Sequence, residues 1–233
     1  MIICSICGGT SFTRQKVLWP ALIEEWEISD SEVAYIDRQQ GMQCTGCGAN
    51  LRVIALASAV LSALGENVTL SEMVERRRSV PAPTTAVHML DINGAATISQ
   101  TLAGMPGYER HDYPQIDMQA LPFADGTFDI VIHSDTLEHV PDPMKALIEC
   151  RRVLKAGGSL CFTIPMIVGR ISRSRAGMKP SYHGSVAQEG DDWRVHTEFG
   201  ADAWLYLIKA GFVEVRISAV DSPSAHAFSA VKR

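Results

Sequence analysis

From residue 86 onward, short apolar runs alternate with segments in which apolar residues recur every three or four positions. The first pattern is typical of buried strands and the second of helices. The predicted strands are 86–90, 108–111, 128–134, 159–165, 213–220 and 226–233, and the predicted helices are 94–104, 143–158 and 200–212. This alternation predicts an α/β fold, a mostly parallel sheet with helices on both faces. The short link between the last two strands predicts a carboxy-terminal antiparallel hairpin.

The region before residue 86 has a different pattern. It contains four predicted helices and no long strand: 19–28, 29–41, 50–65 and 69–78. Ser29 or Asp30 is a suitable helix cap, and the proline-rich stretch 79–85 is a linker. We therefore predict a small module with a helical insert over 1–50, a helical connector over 51–80, and the α/β domain over 81–233.

Composition narrows the class of protein. The chain has 233 residues, of which 46% are hydrophobic and 20% charged, as in a soluble globular protein. The net charge of −5 argues against a dedicated nucleic-acid binder, although basic runs occur at 74–80 and 169–179. No apolar run reaches the roughly 18 residues of a membrane span. Because no basic region precedes the first apolar residues, no secretory signal is predicted and we expect a cytoplasmic protein.

Four of the six cysteines form two Cys-x-x-Cys pairs, each followed by glycine. The pairs are Cys4 with Cys7 and Cys44 with Cys47. This spacing predicts a structural zinc site with four sulfur ligands and a small zinc-ribbon-like module. Disulfides and a thioredoxin-type redox pair are the alternatives, and a reducing compartment disfavours the first. The other two cysteines, Cys150 and Cys161, are predicted to be core thiols.

Residues 121–165 closely resemble the class I, seven-stranded, Rossmann-like S-adenosylmethionine-dependent methyltransferases. The shared motifs are "LPF", "FD" at the start of a strand, "LEHV" after it, and "RVLKAGG" before the next strand. The amino-terminal cysteines followed by "NLR" resemble a subset of this family that has a zinc module. The resemblance implies an enzyme that transfers a methyl group from S-adenosylmethionine.

The resemblance places the cofactor's amino-acid end at "DINGAAT". Asp91 matches the family's acidic residue, but its three glycine positions fall on Asn93, Ala95 and Thr97, with Gly94 between them. Asparagine tolerates positive φ better than other non-glycine residues, so we expect Asn93 and Gly94 to form the turn and contact the cofactor. The alternative is a degenerate loop that binds nothing.

Other cofactor positions follow from the same resemblance. Asp112 is the expected ribose ligand, with Glu109 as the rival, because a carboxylate can accept two hydrogen bonds. The resemblance also implies that Asp117 and Met118 meet the adenine and that the end of strand 128–134, His133 and Ser134, passes the methionine moiety. Few residues separate Asp112 from Asp117, so the helix that usually follows is expected to be missing or reduced to a turn.

A general base is needed only for a hydroxyl or protonated amine acceptor. His133, His139 and His183 are the candidate catalytic residues. The long polar segment 166–198 is expected to cover the acceptor. Its arginines Arg170, Arg173 and Arg175 suggest an anionic acceptor, although solvated loop arginines are an equal alternative.

Three functions remain open from the sequence. The first is a methyltransferase acting on a small-molecule or glycan-type acceptor. The second is an RNA methyltransferase that uses its zinc module to bind nucleic acid, and the third is a non-catalytic binding protein with the methyltransferase fold. The acidic balance counts against the second.

Overall fold

The computed structural model describes residues 1–79, 86–182, 191–222 and 224–233. The strands are β1 (Phe12–Arg14), β2 (Met42–Cys44), β3 (Met89–Ile92), β4 (Tyr108–His111), β5 (Phe128–Ser134), β6 (Leu154–Thr163), β7 (Met166–Ile167), β8 (Arg173–Ser174), β9 (Thr197–Gly200), β10 (Glu214–Val220) and β11 (Ala225–Val231). The helices are α1 (Pro20–Glu25), α2 (Asp30–Gly41), α3 (Leu51–Ala63), α4 (Leu70–Ser79), α5 (Thr97–Leu102), α6 (Pro143–Val153) and α7 (Trp204–Lys209).

A six-stranded sheet in the order β10-β11-β6-β5-β3-β4 forms the centre of the fold. The four strands β4, β3, β5 and β6 are parallel, whereas β11 and β10 run antiparallel to their neighbours. The predicted α/β class and the carboxy-terminal hairpin are therefore confirmed. After β4 the chain returns across β3 to form β5, and ligands of such sheets bind at the carboxyl ends of strands beside this reversal.

Successive side chains of a strand point to opposite faces, so the sheet has two cores. On one face α3, α4 and α5 pack on alternate residues of the inner strands, among them Met89 and Ile132. On the other face α6 and α7 pack on the intervening residues, among them Leu90 and Phe162. Cys161 is buried in the first core and Cys150 in the second, which confirms both as core thiols.

The amino-terminal region forms the predicted helical insert. The helix α2 begins with a capping box, in which Ser29 and Glu32 each satisfy the other's backbone N–H. The strands β1 and β2 pair at the two ends of the insert and close it into a loop. The linker 79–85 lies almost entirely outside the described residues, so the boundary between 80 and 81 stays a prediction.

The sheet has six strands among the described residues, where the resemblance implied seven. Between β4 and β5 the chain makes a turn, with a single bridge between Asp117 and Ala120, and adds no strand. The edge of the sheet is therefore β4, and the expected loss of the following helix is observed. The long segment after β6 contains a small sheet of its own, in the order β7-β9-β8.

Candidate functional site

Four cysteine sulfur atoms converge where the two ends of the insert meet. The Sγ atoms of Cys4, Cys7, Cys44 and Cys47 all lie within 4.8 Å of one another. The Cys4–Cys47 and Cys7–Cys44 distances are 3.6 Å, close to the roughly 3.8 Å between sulfurs that share a tetrahedral zinc at about 2.3 Å. The cluster therefore has the geometry of a metal site with four sulfur ligands.

The two knuckles of this cluster have the same backbone structure. Gly8 and Gly48 each follow the second cysteine of a pair at positive φ, and each N–H donates to the carbonyl of the first cysteine at 2.8 Å. A Cβ at Gly9 would lie 2.8 Å from the Cys44 sulfur, so a side chain there would intrude on the cluster. Glycine adopts positive φ without steric cost, so the glycine after each pair allows the chain to turn sharply behind the second cysteine.

The turn after β3 has the backbone conformation that the sequence predicted. Asn93 has φ of 63° and Gly94 of 74°. Asn93 accepts a hydrogen bond from the backbone N–H of Tyr113 at 2.7 Å, which joins the turn to the chain after β4. The asparagine therefore takes the place of a glycine in a left-handed turn.

Asp91 lies beneath this turn and is fully buried. Its Oδ2 accepts hydrogen bonds from the Ser99 hydroxyl at 2.5 Å and the Tyr108 hydroxyl at 2.7 Å. Its Oδ1 has no hydrogen-bond partner among the described residues. Burial raises the pKa of Asp91, while its two hydroxyl donors act in the opposite direction. The turn thus lies over an unsatisfied acceptor, which is suited to a ligand that donates a hydrogen bond.

Asp112 lies beside the same turn. Both of its oxygens accept hydrogen bonds from Arg110, at 2.8 and 3.0 Å. The Arg110 guanidinium in turn covers Gly94, where an added Cβ would lie 2.5 Å from its central carbon. Glu109 is instead hydrogen bonded to His111, with 2.8 Å between its Oε2 and the ring Nε2. Asp112 and Gly94 are therefore brought together through one arginine, whereas Glu109 pairs elsewhere.

Three further cofactor candidates, Asp117, Met118 and Ser134, differ in their exposure and contacts. Asp117 is exposed and accepts a hydrogen bond from the Gln119 backbone, while Met118 is buried in the second core. Ser134 exchanges a hydrogen bond with Thr163 of the neighbouring strand at 2.8 Å. These contacts leave their assignment as cofactor ligands a prediction.

A cavity of about 290 Å³ lies at the carboxyl ends of β5 and β6. One side is the insert, which contributes mainly apolar side chains between residues 17 and 40, and another is formed by residues 165–167 and Trp193. Four polar residues, here called the polar floor, complete the lining at the sheet: Arg52, Asp135, Glu138 and His139. The site thus combines an apolar wall with a concentrated group of titratable side chains.

Arg52 and Glu138 of the polar floor are buried, Asp135 and His139 are half-buried, and the group is incompletely hydrogen bonded. Arg52 donates to Asp135 at 2.7 Å, and Asp135 has a positive φ of 49°. Glu138 is 1% exposed, and neither carboxylate oxygen has a hydrogen-bond partner among the described residues. Burial raises the pKa of Glu138 well above its usual range, and the nearby Asp135 carboxylate raises it further. Titratable groups perturbed in this way and placed in a cavity are typical of functional sites.

Comparison with known proteins shows which proteins the chain is similar to. Residues 78–162 match the family model described as "Methyltransferase domain". This part of the chain is similar to a methyltransferase domain. Its match with the ubiquinone/menaquinone biosynthesis C-methyltransferase UbiE of Klebsiella pneumoniae is 40% identical over 96 residues and covers 37% of each chain.

The chain is also similar to a second curated methyltransferase and to a solved methyltransferase structure. The ubiquinone biosynthesis O-methyltransferase of Methylococcus capsulatus is 33% identical over 119 residues, covering 51% of this chain and 40% of its own. The chain therefore spans less than half the length of these two curated relatives. The crystal structure of an S-adenosylmethionine-dependent methyltransferase from Thermotoga maritima is 17% identical, with a TM-score of 0.41, and the match covers 70% of this chain and 89% of that one.

The three candidate histidines differ in their surroundings. His133 is fully buried, its ring stacks on Phe162 at 4.6 Å, and burial lowers its pKa to about 3. A ring in this position cannot reach an acceptor, so the structure does not support His133 as a base. His183 lies outside the described residues. His139, whose motif often only shapes a turn, is the one that lines the cavity.

The segment arginines do not form a free cationic surface. Arg170 forms an ion pair with Glu32 at 3.0 Å and donates to the carbonyls of Trp26 and Glu27. Arg173 and Arg175 both pair with Glu198. Arg170 fastens the segment to the insert, and Arg173 and Arg175 are engaged by a carboxylate of the segment itself, so the sequence argument for an anionic acceptor loses its support.

Sequence reasoning missed three members of the polar floor: Arg52, Asp135 and Glu138. Glu138 lies in the motif "LEHV" and Arg52 lies in "NLR", both of which the resemblance had already marked, and Asp135 lies two residues before "LEHV". Their joint position could not be read from the sequence, because Arg52 and Asp135 are 83 residues apart. No helix of the described residues is long and apolar enough to cross a membrane.

Proposed function

We propose that this protein transfers a methyl group from S-adenosylmethionine to a small-molecule acceptor bound in the cavity. The observation that carries the proposal is the shared position of the two sites. The left-handed turn after β3 and the cavity beside β5 both lie at the carboxyl edge of the parallel sheet, on neighbouring strands. This is the edge at which such sheets bind ligands.

The residues at the turn suit the cofactor. The unsatisfied Oδ1 of Asp91 is an acceptor for the cofactor's ammonium group, and Asn93 and Gly94 supply the tight turn beside it. In this proposal Asp112, which also binds Arg110, is the ligand for the ribose hydroxyls, and Asp117 and Met118 would contact the adenine. When bound, S-adenosylmethionine supplies a methyl group on a positively charged sulfur; the protein then mainly positions and desolvates the reactants.

The acceptor is best described as a small molecule. The two curated relatives are named for quinone biosynthesis, one as a C-methyltransferase and one as an O-methyltransferase, which supports an enzyme of small-molecule metabolism. The pairing of Arg170, Arg173 and Arg175 removes the most suitable cations for a nucleic-acid surface. A glycan-type acceptor is polar and would fit poorly against the largely apolar wall of the cavity.

His139 is our candidate for the general base if the acceptor is a hydroxyl. Its Nδ1 lies 3.1 Å from the carbonyl oxygen of Arg194, and because a carbonyl can only accept, Nδ1 carries the proton. In the neutral ring Nε2 is then the basic nitrogen. Burial lowers the pKa of His139, which favours this neutral form at pH 7.

The four cysteines would hold a structural zinc ion. They would supply a closed set of four sulfur ligands with no open position for a substrate. In this proposal the metal fixes both ends of the insert and takes no part in methyl transfer.

The experiment that tests the proposal is calorimetric titration with S-adenosylhomocysteine, the demethylated cofactor. We expect binding in the micromolar range, roughly −7 to −8 kcal/mol. Asp112→Ala should weaken binding by about 1–3 kcal/mol, since it removes a charged hydrogen-bond partner. Glu109→Ala is the matched control, because its side chain is 44% exposed against 43% for Asp112. If only Glu109→Ala loses affinity, Glu109 and not Asp112 is the ribose ligand. If the parent protein does not bind S-adenosylhomocysteine, the proposal is contradicted.

A further inference from the structure

The wall of the cavity indicates a flat and apolar ligand. Three of the chain's four tryptophans line it, namely Trp19, Trp26 and Trp193. Trp26 is held in place by a hydrogen bond from its Nε1–H to the Ser181 hydroxyl at 2.9 Å and by the Arg175 guanidinium 5.0 Å from its ring. Indole rings that are fixed in this way present a rigid surface for another ring.

The polar floor indicates what the ligand carries at its other end. Arg52 is 6% exposed, and its Nε and Nη1 have no hydrogen-bond partner among the described residues; neither does either carboxylate oxygen of Glu138. Buried polar groups without partners are costly, so a ligand that satisfies them gains affinity. The unsatisfied set contains donors on Arg52 and acceptor oxygens on Glu138. A hydroxyl group both donates and accepts, and it can therefore satisfy one of each.

The charges of the floor favour an uncharged ligand. The Arg52 cation is already paired with the Asp135 carboxylate. Asp135 would repel an added phosphate or carboxylate, and a charged group placed in this buried floor would also lose its hydration. The arginines of the neighbouring segment are engaged with Glu32 and Glu198 and offer no compensation.

We propose that the acceptor is an uncharged molecule of one or two rings, whose ring packs on the tryptophan wall and whose hydroxyl group lies between Arg52, Glu138 and His139. The size agrees with the cavity volume of about 290 Å³, which is at the lower end of the range for small-molecule sites. Trp193 lies edge-on to His139 at 5.8 Å, so the ring wall and the candidate base adjoin each other. This inference rests on the proposed function, because it takes the cavity as the acceptor site.

The test is a pair of probes that differ in charge: 2-naphthol and 2-naphthyl phosphate. Binding of each is measured by calorimetry on the full chain, with S-adenosylhomocysteine titrated into the same preparation. We expect 2-naphthol to bind, and the phosphate to bind at least about tenfold more weakly, because its charge would be buried beside two carboxyl groups. Equal or tighter binding of the phosphate overturns the inference, as does the absence of 2-naphthol binding at millimolar concentration.

A matched pair of variants places the probe in the cavity. Trp19 lines the cavity and is 42% exposed, whereas Trp204 on α7 is 41% exposed and does not line it. Trp19→Ala should weaken 2-naphthol binding about fivefold, and Trp204→Ala should leave it unchanged. Equal effects of the two substitutions would place the probe elsewhere and overturn the inference. If S-adenosylhomocysteine binds but 2-naphthol does not, only the inference fails; if 2-naphthol binds but S-adenosylhomocysteine does not, the proposed function fails.

Discussion

At the residue scale, the site depends on polar side chains that the fold buries at the carboxyl end of β5. Glu138 and Asp135 lie close to each other in the polar floor, with Arg52 as the nearby cation. Such an arrangement lowers the stability of the folded protein and is retained where it serves a ligand. Two predictions belong to this scale.

Glu138→Gln should stabilise the protein at neutral pH. Burial raises the pKa of Glu138 above the unfolded-state value of about 4.3, so ionisation opposes folding, and the parent protein loses stability as the pH rises through the interval between the two pKa values. Glutamine cannot ionise. Thermal unfolding should therefore show the variant more stable by about 1 kcal/mol or more at pH 7, with the difference shrinking toward pH 4.

Glu149→Gln is the control with the opposite sign. The Arg152 guanidinium lowers the pKa of Glu149, so that this carboxylate contributes stability above its unfolded-state pKa and loses it as the pH falls. The control should be less stable than the parent protein at pH 7. A Glu138→Gln variant that is less stable at every pH would contradict the electrostatic description of the floor.

His139→Gln should slow methyl transfer to a hydroxyl acceptor by about 10²–10⁴-fold, because it removes the proposed base. As the pH is lowered, the rate of the parent protein should remain constant down to the usual histidine pKa of about 6.5 and decline only below it, because burial lowers the pKa of His139. Transfer of a radiolabelled methyl group, with S-adenosylhomocysteine affinity measured in parallel, checks this. His88→Gln, on an exposed residue at the opposite end of β3, is the control. An unchanged rate in His139→Gln would show that no base is needed there.

Single residues with strong local preferences could be predicted from the sequence. Asn93 was expected to adopt positive φ, and Ser29 was one of two candidate helix caps beside Asp30, because both properties depend on the residue and its immediate neighbours. The role of Arg110 could not be predicted. Its guanidinium covers Gly94 only because β3 and β4 are adjacent in the sheet.

At the element scale, the insert contributes both to the cysteine cluster and to the cavity. Its helices α1 and α2 supply the apolar wall of the cavity, and the paired cysteines hold its two ends together. Arg170 fastens the insert to the segment after β6, and the same guanidinium lowers the pKa of Glu32 to about 2. The cysteine cluster and the apolar wall of the cavity are thus two ends of one structural unit.

Cys44→Ser should therefore remove the metal and loosen the insert while the central sheet still folds, because ligation and folding are coupled at such sites. Elemental analysis should give one zinc ion per chain for the parent protein and less for the variant. Limited proteolysis should then cut within residues 8–43 of the variant. Cys150→Ser, at a core thiol far from the cluster, should keep its zinc. A parent protein without zinc would contradict the metal proposal.

Most long elements could be predicted because each has a clear hydrophobic period. The strands β4 and β5 have the predicted bounds, and α2 and α3 lie within the predicted ranges. The strands β7 and β8 were missed because two residues are too short to show any period. Their pairing with β9 depends on contacts between distant parts of the chain.

At the scale of the whole molecule, the cavity is formed by four segments that are far apart in sequence. They are the insert, the start of α3, the chain after β5, and the segment after β6. The sequence could indicate the resemblance to methyltransferases and the turn after β3, which are local motifs. It could not indicate the apolar wall of the cavity, because that surface exists only once the insert has packed over the sheet.

The most direct measurement is the affinity of Gly94→Leu for S-adenosylhomocysteine, compared with that of Gly157→Leu. Both glycines have positive φ, so leucine carries a similar backbone cost at each, but Gly157 has open space around it and lies at the opposite edge of the sheet. Our account predicts that Gly94→Leu abolishes calorimetric binding while Gly157→Leu retains the affinity of the parent protein. If Gly94→Leu binds as tightly as the parent protein, the turn does not hold the cofactor, and the account is contradicted in favour of a methyltransferase fold that has lost its cofactor site.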